Sequence, residues 1–317
     1  MKGHLPIPVE RMQSVNAPLP RNLPVGLTVA ALVITAAFSV PLYTWLRFGL
    51  ENDLFSYILL VPIVSAYLSY TTRSISRGTS SAPYRGLALA LFICGGAVIA
   101  GYWFAKSSGV TLPPQDAVAF TTLPFVLLFA GVCAFWLPRG QFRQAIFPLS
   151  FLLFMVPFPM AMEQGIESFL QQGSAPPAYW LFRMVGTTIF REDLVFQLPG
   201  ITLQIAPECS GIRSTLVLFM VSLLAGYLFL RSPWKRVALT AFVIPLALIR
   251  NGFRVFTIGQ LCVSVGPHMI DSAIHHRGGP IFFALSLIPF FALVYFLVRS
   301  DRKAARIASV TAHPAHG

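Results

Sequence analysis

Charge is scarce in this sequence. Only 11% of the 317 residues are charged, 56% are hydrophobic and the mean hydropathy is +0.71. An ordinary soluble domain carries about 25% charged residues, so a soluble fold is excluded and a polytopic membrane protein is implied. Acids are scarcer than bases, 11 against 23, and the net charge is +12. The bases form no clustered reading face, which excludes a nucleic-acid reader; their distribution between loops accounts for them better. The four cysteines (Cys94, Cys133, Cys209 and Cys262) have no CxxC or other ligand spacing. That pattern argues against a zinc site or a disulfide framework. No internal repeat or low-complexity block divides the chain, and nothing in it calls for a metal, nucleotide or other cofactor.

What the sequence has instead is long apolar runs. A Pro-rich, polar segment over 1–24 reads as a flexible cytoplasmic tail. The run over 25–46 has no small-residue cleavage site, so it reads as an uncleaved span rather than a signal peptide. Further spans are expected at 54–70, 86–104, 118–137, 144–162, 210–230, 237–262 and 280–299, followed by a cytoplasmic tail over 301–317. The fold class is thus an all-α polytopic membrane protein with about eight transmembrane helices. With the N-terminus inside, the inside segments carry Lys2, Arg11, Arg21, Arg73, Arg77, Arg85, Arg139, Arg143, Arg231, Lys235, Arg236, Arg299, Arg302, Lys303 and Arg306. The outside segments carry only Arg47, Lys106, Arg183, Arg191 and Arg277. This bias predicts both termini in the cytoplasm.

The stretch at 163–209 interrupts the spans on the extracytoplasmic side. Glu163 to Gln172 reads as a short polar helix that Gly173-Ser174-Ala175-Pro176-Pro177 breaks. Ala178 to Phe190 then places Trp180, Leu181, Met184, Val185 and Ile189 at near-helical spacing, as in an interfacial helix. Leu194, Phe196 and Leu198 alternate with Val195 and Gln197, and Ile201, Leu203 and Ile205 with Thr202 and Gln204. With Pro199-Gly200 between them, the two runs predict a small β-hairpin.

The hairpin leads into Pro207-Glu208-Cys209-Ser210-Gly211-Ile212-Arg213-Ser214, a polar turn at the start of the sixth span. Cys94, Cys133 and Cys262 lie in or beside apolar runs, where cysteine is a small packing residue; Cys209 alone has polar neighbours. A helix N-terminus stabilises a thiolate, and Ser210 or Ser214 is expected to help cap it. Arg250 and Arg254, four apart, share one face of the seventh span. Arginine in a membrane is costly without an acid, an anion or a polar cavity. Arg254 is therefore a candidate to hold an oxyanion or a substrate carboxylate, while snorkelling to lipid phosphate suits Arg250 better. His275 and His276 precede the eighth span, where a histidine can exchange a proton with a thiol and a leaving amine. Topology thus brings cysteine, arginine and histidine from three spans to one membrane depth.

On these residues the chain resembles the exosortase/archaeosortase family of membrane proteins. The resemblance rests on Glu208-Cys209-Ser210-Gly211-Ile212-Arg213-Ser214, on Asn251-Gly252-Phe253-Arg254-Val255, and on His275 followed four residues later by Gly279. It extends to the Pro-rich run from Phe147 to Pro159 and to the hairpin, and it covers roughly 50–300. The domain over 25–300 is then exosortase-like. The resemblance implies a cysteine protease or transpeptidase that cleaves a C-terminal sorting signal (motif, transmembrane helix, basic tail, of PEP-CTERM type) from exported proteins. It implies Cys209 as nucleophile, Arg254 as oxyanion stabiliser, and His275, with His276 as the alternative, as general acid and base. Arg250, Asn251, Arg213 and Glu208 are expected to contact substrate. The expected partners are exported proteins, membrane lipid and an exopolysaccharide or lipid acceptor, and no nucleic acid. The expected location is the bacterial inner membrane with the site at its extracytoplasmic face, where the hairpin over 194–206 is a candidate to pair with an extended substrate segment. Two other readings of the same residues are a thiol-dependent acyl or glycan transferase of exopolysaccharide assembly and an anion transporter using Arg250 and Arg254.

Overall fold

The computed structural model describes residues 24–72, 82–207, 210–272 and 278–312. The expected N-terminal tail up to 23, Arg73 and Arg77, Glu208 and Cys209, His275, His276 and Arg277, and the chain end at 313–317 lie outside the described residues. The helices are α1 (Val25–Ala37), α2 (Ser39–Glu51), α3 (Leu60–Thr72), α4 (Arg85–Ser107), α5 (Pro114–Trp136), α6 (Arg139–Phe151) and α7 (Met160–Val185). Strands β1 (Phe190–Glu192), β2 (Val195–Leu198) and β3 (Ile201–Gln204) follow, then α8 (Ile212–Phe229), α9 (Pro233–Ser264) and α10 (Gly279–Ala312). By length and composition, five of these helices are apolar enough to cross a membrane, or up to seven spans if two bent pairs each count as one. The expected span at 54–70 is a shorter apolar helix, Ser56–Thr71. The chain forms two compact units, Met1–Met160 and Ala161–Gly317.

In the first unit the expected continuous span at 25–46 is two helices, α1 and α2, bent by 67°. Pro41 explains the bend, because it has no N–H to offer the Ala37 carbonyl and its ring crowds that oxygen. The expected span at 144–162 is also interrupted. The helix gives way to a 3-10 turn at Leu152–Met155, Val156 is extended, and a new helix begins only at Met160. Pro157 and Pro159 account for this, since a residue that precedes proline is pushed out of the helical region. Buried bonds secure these breaks. Trp45 Nε1 donates to the Met155 carbonyl at 2.7 Å, and Ser65 Oγ to the Pro148 carbonyl at 2.7 Å. At the exposed end of this unit, Asp116 Oδ1 accepts the Met160 N–H at 2.7 Å.

The second unit corrects the reading of 163–190. The short polar helix and the interfacial helix as far as Val185 are one element, α7, which runs through Pro176-Pro177 without a break, whereas Ile189 lies beyond it and Phe190 opens β1. Local propensity loses to packing here. Gly252 of α9 lies so close that a Cβ on it would meet Pro177 Cβ at 2.8 Å and the Ser174 carbonyl at 2.9 Å. Gln171, Ser174, Ala175, Ala178 and Phe182 form the buried face of α7. The helix ends in a Schellman arrangement, with Gly186 N–H on the Arg183 carbonyl and Thr187 N–H on that of Phe182, both at 3.1 Å.

The expected hairpin is present, and β1 adds a strand that the alternation did not reveal, giving an antiparallel sheet of order β1-β2-β3. Register pairs Leu198 with Ile201, so Pro199-Gly200 is the whole turn. Gly200 has φ +80, as a type II turn requires after proline. The alternation is satisfied on one face, where Phe196, Leu198, Leu203 and Ile205 pack with Ala175, Ala178, Phe182 and Val255. A second apolar cluster joins α8, α9 and α10 through Leu218, Leu239, Val243, Leu246 and Phe290. On α9 the polar residues Arg250, Asn251 and Arg254 fall between Leu246 of one cluster and Val255 of the other.

Candidate functional site

The site is assembled at the N-terminus of α8, where the sheet hands the chain to the helix. Ser210 N–H donates to the Pro207 carbonyl at 2.9 Å, tying together the two residues that flank positions 208 and 209. The N-cap of α8 is Gly211 in the left-handed region, φ +73, with no side-chain cap of its own. Of the two serines expected to help cap, Ser210 does so, its Oγ accepting the Ile212 N–H in a long bond of 3.4 Å. Ser214 does not, because its Oγ donates to the Gly211 carbonyl at 3.0 Å.

The Gly211 carbonyl accepts from α8 and from α9. Thr215 N–H and Oγ1 lie at 3.0 and 2.9 Å, Ser214 Oγ at 3.0 Å and Arg250 Nη2 at 3.2 Å. Arg250 Nη2 also donates to Thr215 Oγ1 at 3.0 Å. Arg250 is only 7% exposed. It is thus bonded into the fold rather than snorkelling, which corrects the reading that lipid phosphate would hold it. Beside it, Asn251 is buried and donates through Nδ2 to Ser174 Oγ at 3.1 Å. A Cβ on Gly211 would lie 3.1 Å from Asn251 Oδ1 and 3.2 Å from Arg250 Nη2. Glycine is therefore favoured there by its dihedral, and an added Cβ would also press on both of these side chains.

Arg254, one turn beyond Arg250 on α9, is half-buried, and Arg213 is exposed in the first turn of α8. Phe253, next to Arg254, packs its ring against Phe282 near the start of α10, with centroids 6.1 Å apart. The described flanks of the three expected catalytic positions therefore gather in one unit: Ser210 and Gly211 after Cys209, Arg254 itself, and Gly278 to Phe282 after His275 and His276. Glu208, Cys209 and both histidines lie outside the described residues. The reading of the sequence missed two buried polar residues of this site, Gln171 and Ser174 on α7. Gln171 Nε2 donates to the Ile205 carbonyl at 2.9 Å, just before the turn. Their signal was polarity at a helical spacing of three, obscured by the expected break at 173–177. Among the described residues, no group of three or more His, Cys, Asp or Glu has the arrangement of a metal site.

Spanning helices, a small sheet that feeds a helix N-terminus, and buried arginine and asparagine around that N-terminus define a polytopic membrane protein with a polar site built into its helical core. The family model described as Transmembrane exosortase (Exosortase_EpsH) matches residues 45–292 of the 317. The chain belongs to the transmembrane exosortase family. At the level of that family it is a membrane-embedded enzyme of sorting-signal processing, in a family of cysteine proteases and transpeptidases. Comparison with curated proteins and with solved structures returns no match.

Proposed function

We propose that the chain is a cysteine transpeptidase that cleaves a C-terminal sorting signal from exported proteins at the extracytoplasmic face of the bacterial inner membrane. The observation that carries this reading is the bonding of the arginine-bearing segment of α9 to Gly211, two residues after Cys209. Arg254 follows Arg250 by one turn on the same face, so it shares the face of α9 that is bonded to Gly211. Cys209 thiolate adds to the scissile carbonyl, and the negative charge that develops on oxygen is stabilised by Arg254. His275, or His276 in its place, gives a proton to the departing amine as the C–N bond breaks, leaving a thioester on Cys209. The same histidine then takes a proton from the acceptor (water, a lipid amine or a glycan) as the acceptor adds to the thioester, and the C–S bond breaks to return Cys209 as the thiolate.

Sheet geometry supports an extended substrate. Ile205 N–H bonds the Leu194 carbonyl at 3.0 Å. Narrow and wide pairs alternate in an antiparallel ladder. With the observed register, Leu203 and Ile201 therefore exchange bonds with β2, while Thr202 and Gln204 turn their backbone groups to the outer edge. Both of these residues are exposed. A substrate segment added at that edge would run beside the strand that leads to Cys209, whereas β2 itself is occupied on both sides.

The test is a processing assay in cells that co-express a tagged protein with a sorting tail. Cys209→Ala, Arg254→Ala, His275→Ala and His276→Ala are compared with the parent at matched membrane levels. Cys209→Ala and Arg254→Ala should abolish cleavage, and one histidine variant should do so while the other does not. Cleavage that persists in Cys209→Ala would overturn the nucleophile assignment and favour anion transport.

A further inference from the structure

Four buried polar side chains outside the proposed Cys–Arg–His set converge on the segment that carries Cys209. Gln171 and Ser174 come from α7, and Arg250 and Asn251 from α9; their exposures are 7%, 0%, 7% and 2%. Gln171 grips the chain on entry, through the Ile205 carbonyl at 2.9 Å. Arg250 grips it on exit, through the Gly211 carbonyl at 3.2 Å and Thr215 Oγ1 at 3.0 Å. Asn251 and Ser174, bonded at 3.1 Å, tie the helix that holds the exit to the helix that holds the entry. Ser174 Oγ in turn donates to the Leu170 carbonyl one turn back. A buried polar group is expensive to leave unpaired, so each of these bonds fixes a distance between elements as well as satisfying a donor. Arg250 additionally has Nη1 enclosed without a hydrogen-bond partner among the described residues. A guanidinium placed there for packing alone would be a poor choice, since an apolar side chain would fill the same volume without that cost.

We infer that Gln171, Ser174, Asn251 and Arg250 form a two-sided clamp on the chain at Ile205 and at Gly211, either side of Cys209, and that holding these two flanks is what presents the thiol to Arg254. These are positioning residues. They act through the carbonyls of Ile205 and Gly211 and not on substrate, which reassigns Arg250 and Asn251 from the substrate contacts expected of them. The inference rests on Cys209 being the nucleophile. Displacement of a reacting group by about 1 Å is enough to cost roughly a hundredfold in rate, so a loosened clamp acts on turnover and leaves binding of the sorting tail alone.

The experiment measures cleavage of a peptide with a sorting tail by the detergent-purified full chain, with kcat and KM separated. In parallel, alkylation of Cys209 by a small maleimide is followed on its peptide by mass spectrometry. Gln171→Met and Arg250→Met keep side-chain bulk and delete the donors; Arg250→Lys restores one donor and the charge. Each deletion is expected to lower kcat by roughly tenfold to a hundredfold, to hold KM within about twofold, and to change the alkylation rate, with Arg250→Lys recovering part of the loss. If Arg250→Met does not accumulate, Thr215→Val deletes at equal shape the hydroxyl that accepts from Arg250 and donates to the Gly211 carbonyl, and it is expected to lower kcat in the same direction. Parent-like kcat in Gln171→Met and in Arg250→Met or Thr215→Val overturns the clamp. So does a loss confined to KM, which would return Arg250 to the substrate site. Cys209→Ala is run beside them: if it is inactive while the clamp variants match the parent, the clamp alone has failed. If it still cleaves, the proposed function has failed and the clamp with it.

Discussion

Gly252→Ala tests the close approach of α7 and α9, because two effects of opposite sign meet there. In the interior of a helix, replacing glycine with alanine ordinarily stabilises by roughly 0.5–1 kcal/mol. At Gly252 the new Cβ would meet Pro177 Cβ at 2.8 Å, the Ser174 carbonyl oxygen at 2.9 Å and the Ala178 nitrogen at 3.0 Å. Two of these three are backbone atoms, and the third sits on a proline ring, so no side chain can rotate out of the way. The helices must part by several tenths of an ångström, and overpacking of this kind costs about 1–3 kcal/mol. Separation also stretches the Asn251–Ser174 bond, a further loss of about 1 kcal/mol. The balance is a net destabilisation of about 1–3 kcal/mol, read as a fall of several degrees in the melting temperature of the detergent-purified protein. Gly96→Ala is the matched control, a mid-helix glycine on α4 where an added Cβ meets nothing within 4 Å. It should leave the melting temperature unchanged or raise it slightly. A Gly252→Ala protein as stable as the parent would refute the argument, as would an equal fall in Gly96→Ala.

Two further outcomes follow from single residues. Gly211→Ala should lower cleavage more than it lowers thermal stability. Alanine at φ +73 costs about 1–2 kcal/mol, and its Cβ would press on Asn251 and Arg250; cleavage at the parent rate would show that this turn is not a part of the site. Asp301→Ala should do the reverse. Asp301 joins α10 to the α8–α9 turn, accepting from Lys235 Nζ at 2.7 Å and from the Arg231 N–H at 2.8 Å. The pair is 20% and 10% exposed, so its loss is expected to cost about 1–3 kcal/mol, seen as a lower melting temperature. Cleavage per folded molecule should stay at the parent level, and a selective loss of turnover would contradict this structural role.

The parts of the fold that could be read in advance were those where one periodicity met no rival. The alternation of Phe196, Leu198, Leu203 and Ile205, with Pro199-Gly200 between, specifies the hairpin because burial on one face and the turn chemistry agree. The α4, α5, α8 and α9 spans emerge from apolar length alone. Hydropathy misled where proline competed with it. The run over 144–162 is apolar enough to pass as one span, yet Pro157 and Pro159 interrupt it; at 25–46, Pro41 bends it. The opposite error occurred at Pro176-Pro177, where two prolines looked like a helix end. There the deciding term is tertiary: Gly252, more than seventy positions away, gives α7 a partner close enough to hold it helical. No window of sequence around 176 contains that information.

The same distinction separates the site residues that were legible from those that were not. Arg250 and Arg254 stood out because a charge in an apolar run is anomalous wherever it points. Gln171 and Ser174 did not, because polar residues at the end of a short polar helix and in the break after it need no explanation. Their meaning depends on burial, and burial depends on α7 being one helix. Once it is, Gln171 and Ser174 fall on the face that also carries Ala175, Ala178 and Phe182, where only polar partners can satisfy them. Those partners are the Ile205 carbonyl before the Cys209 turn and Asn251 beside the residue that holds Gly211 after it. A helix whose buried face is apolar at one end and polar only where it meets this turn has its polarity placed by the turn. That correspondence, rather than any local motif, ties α7 to the chemistry proposed for Cys209.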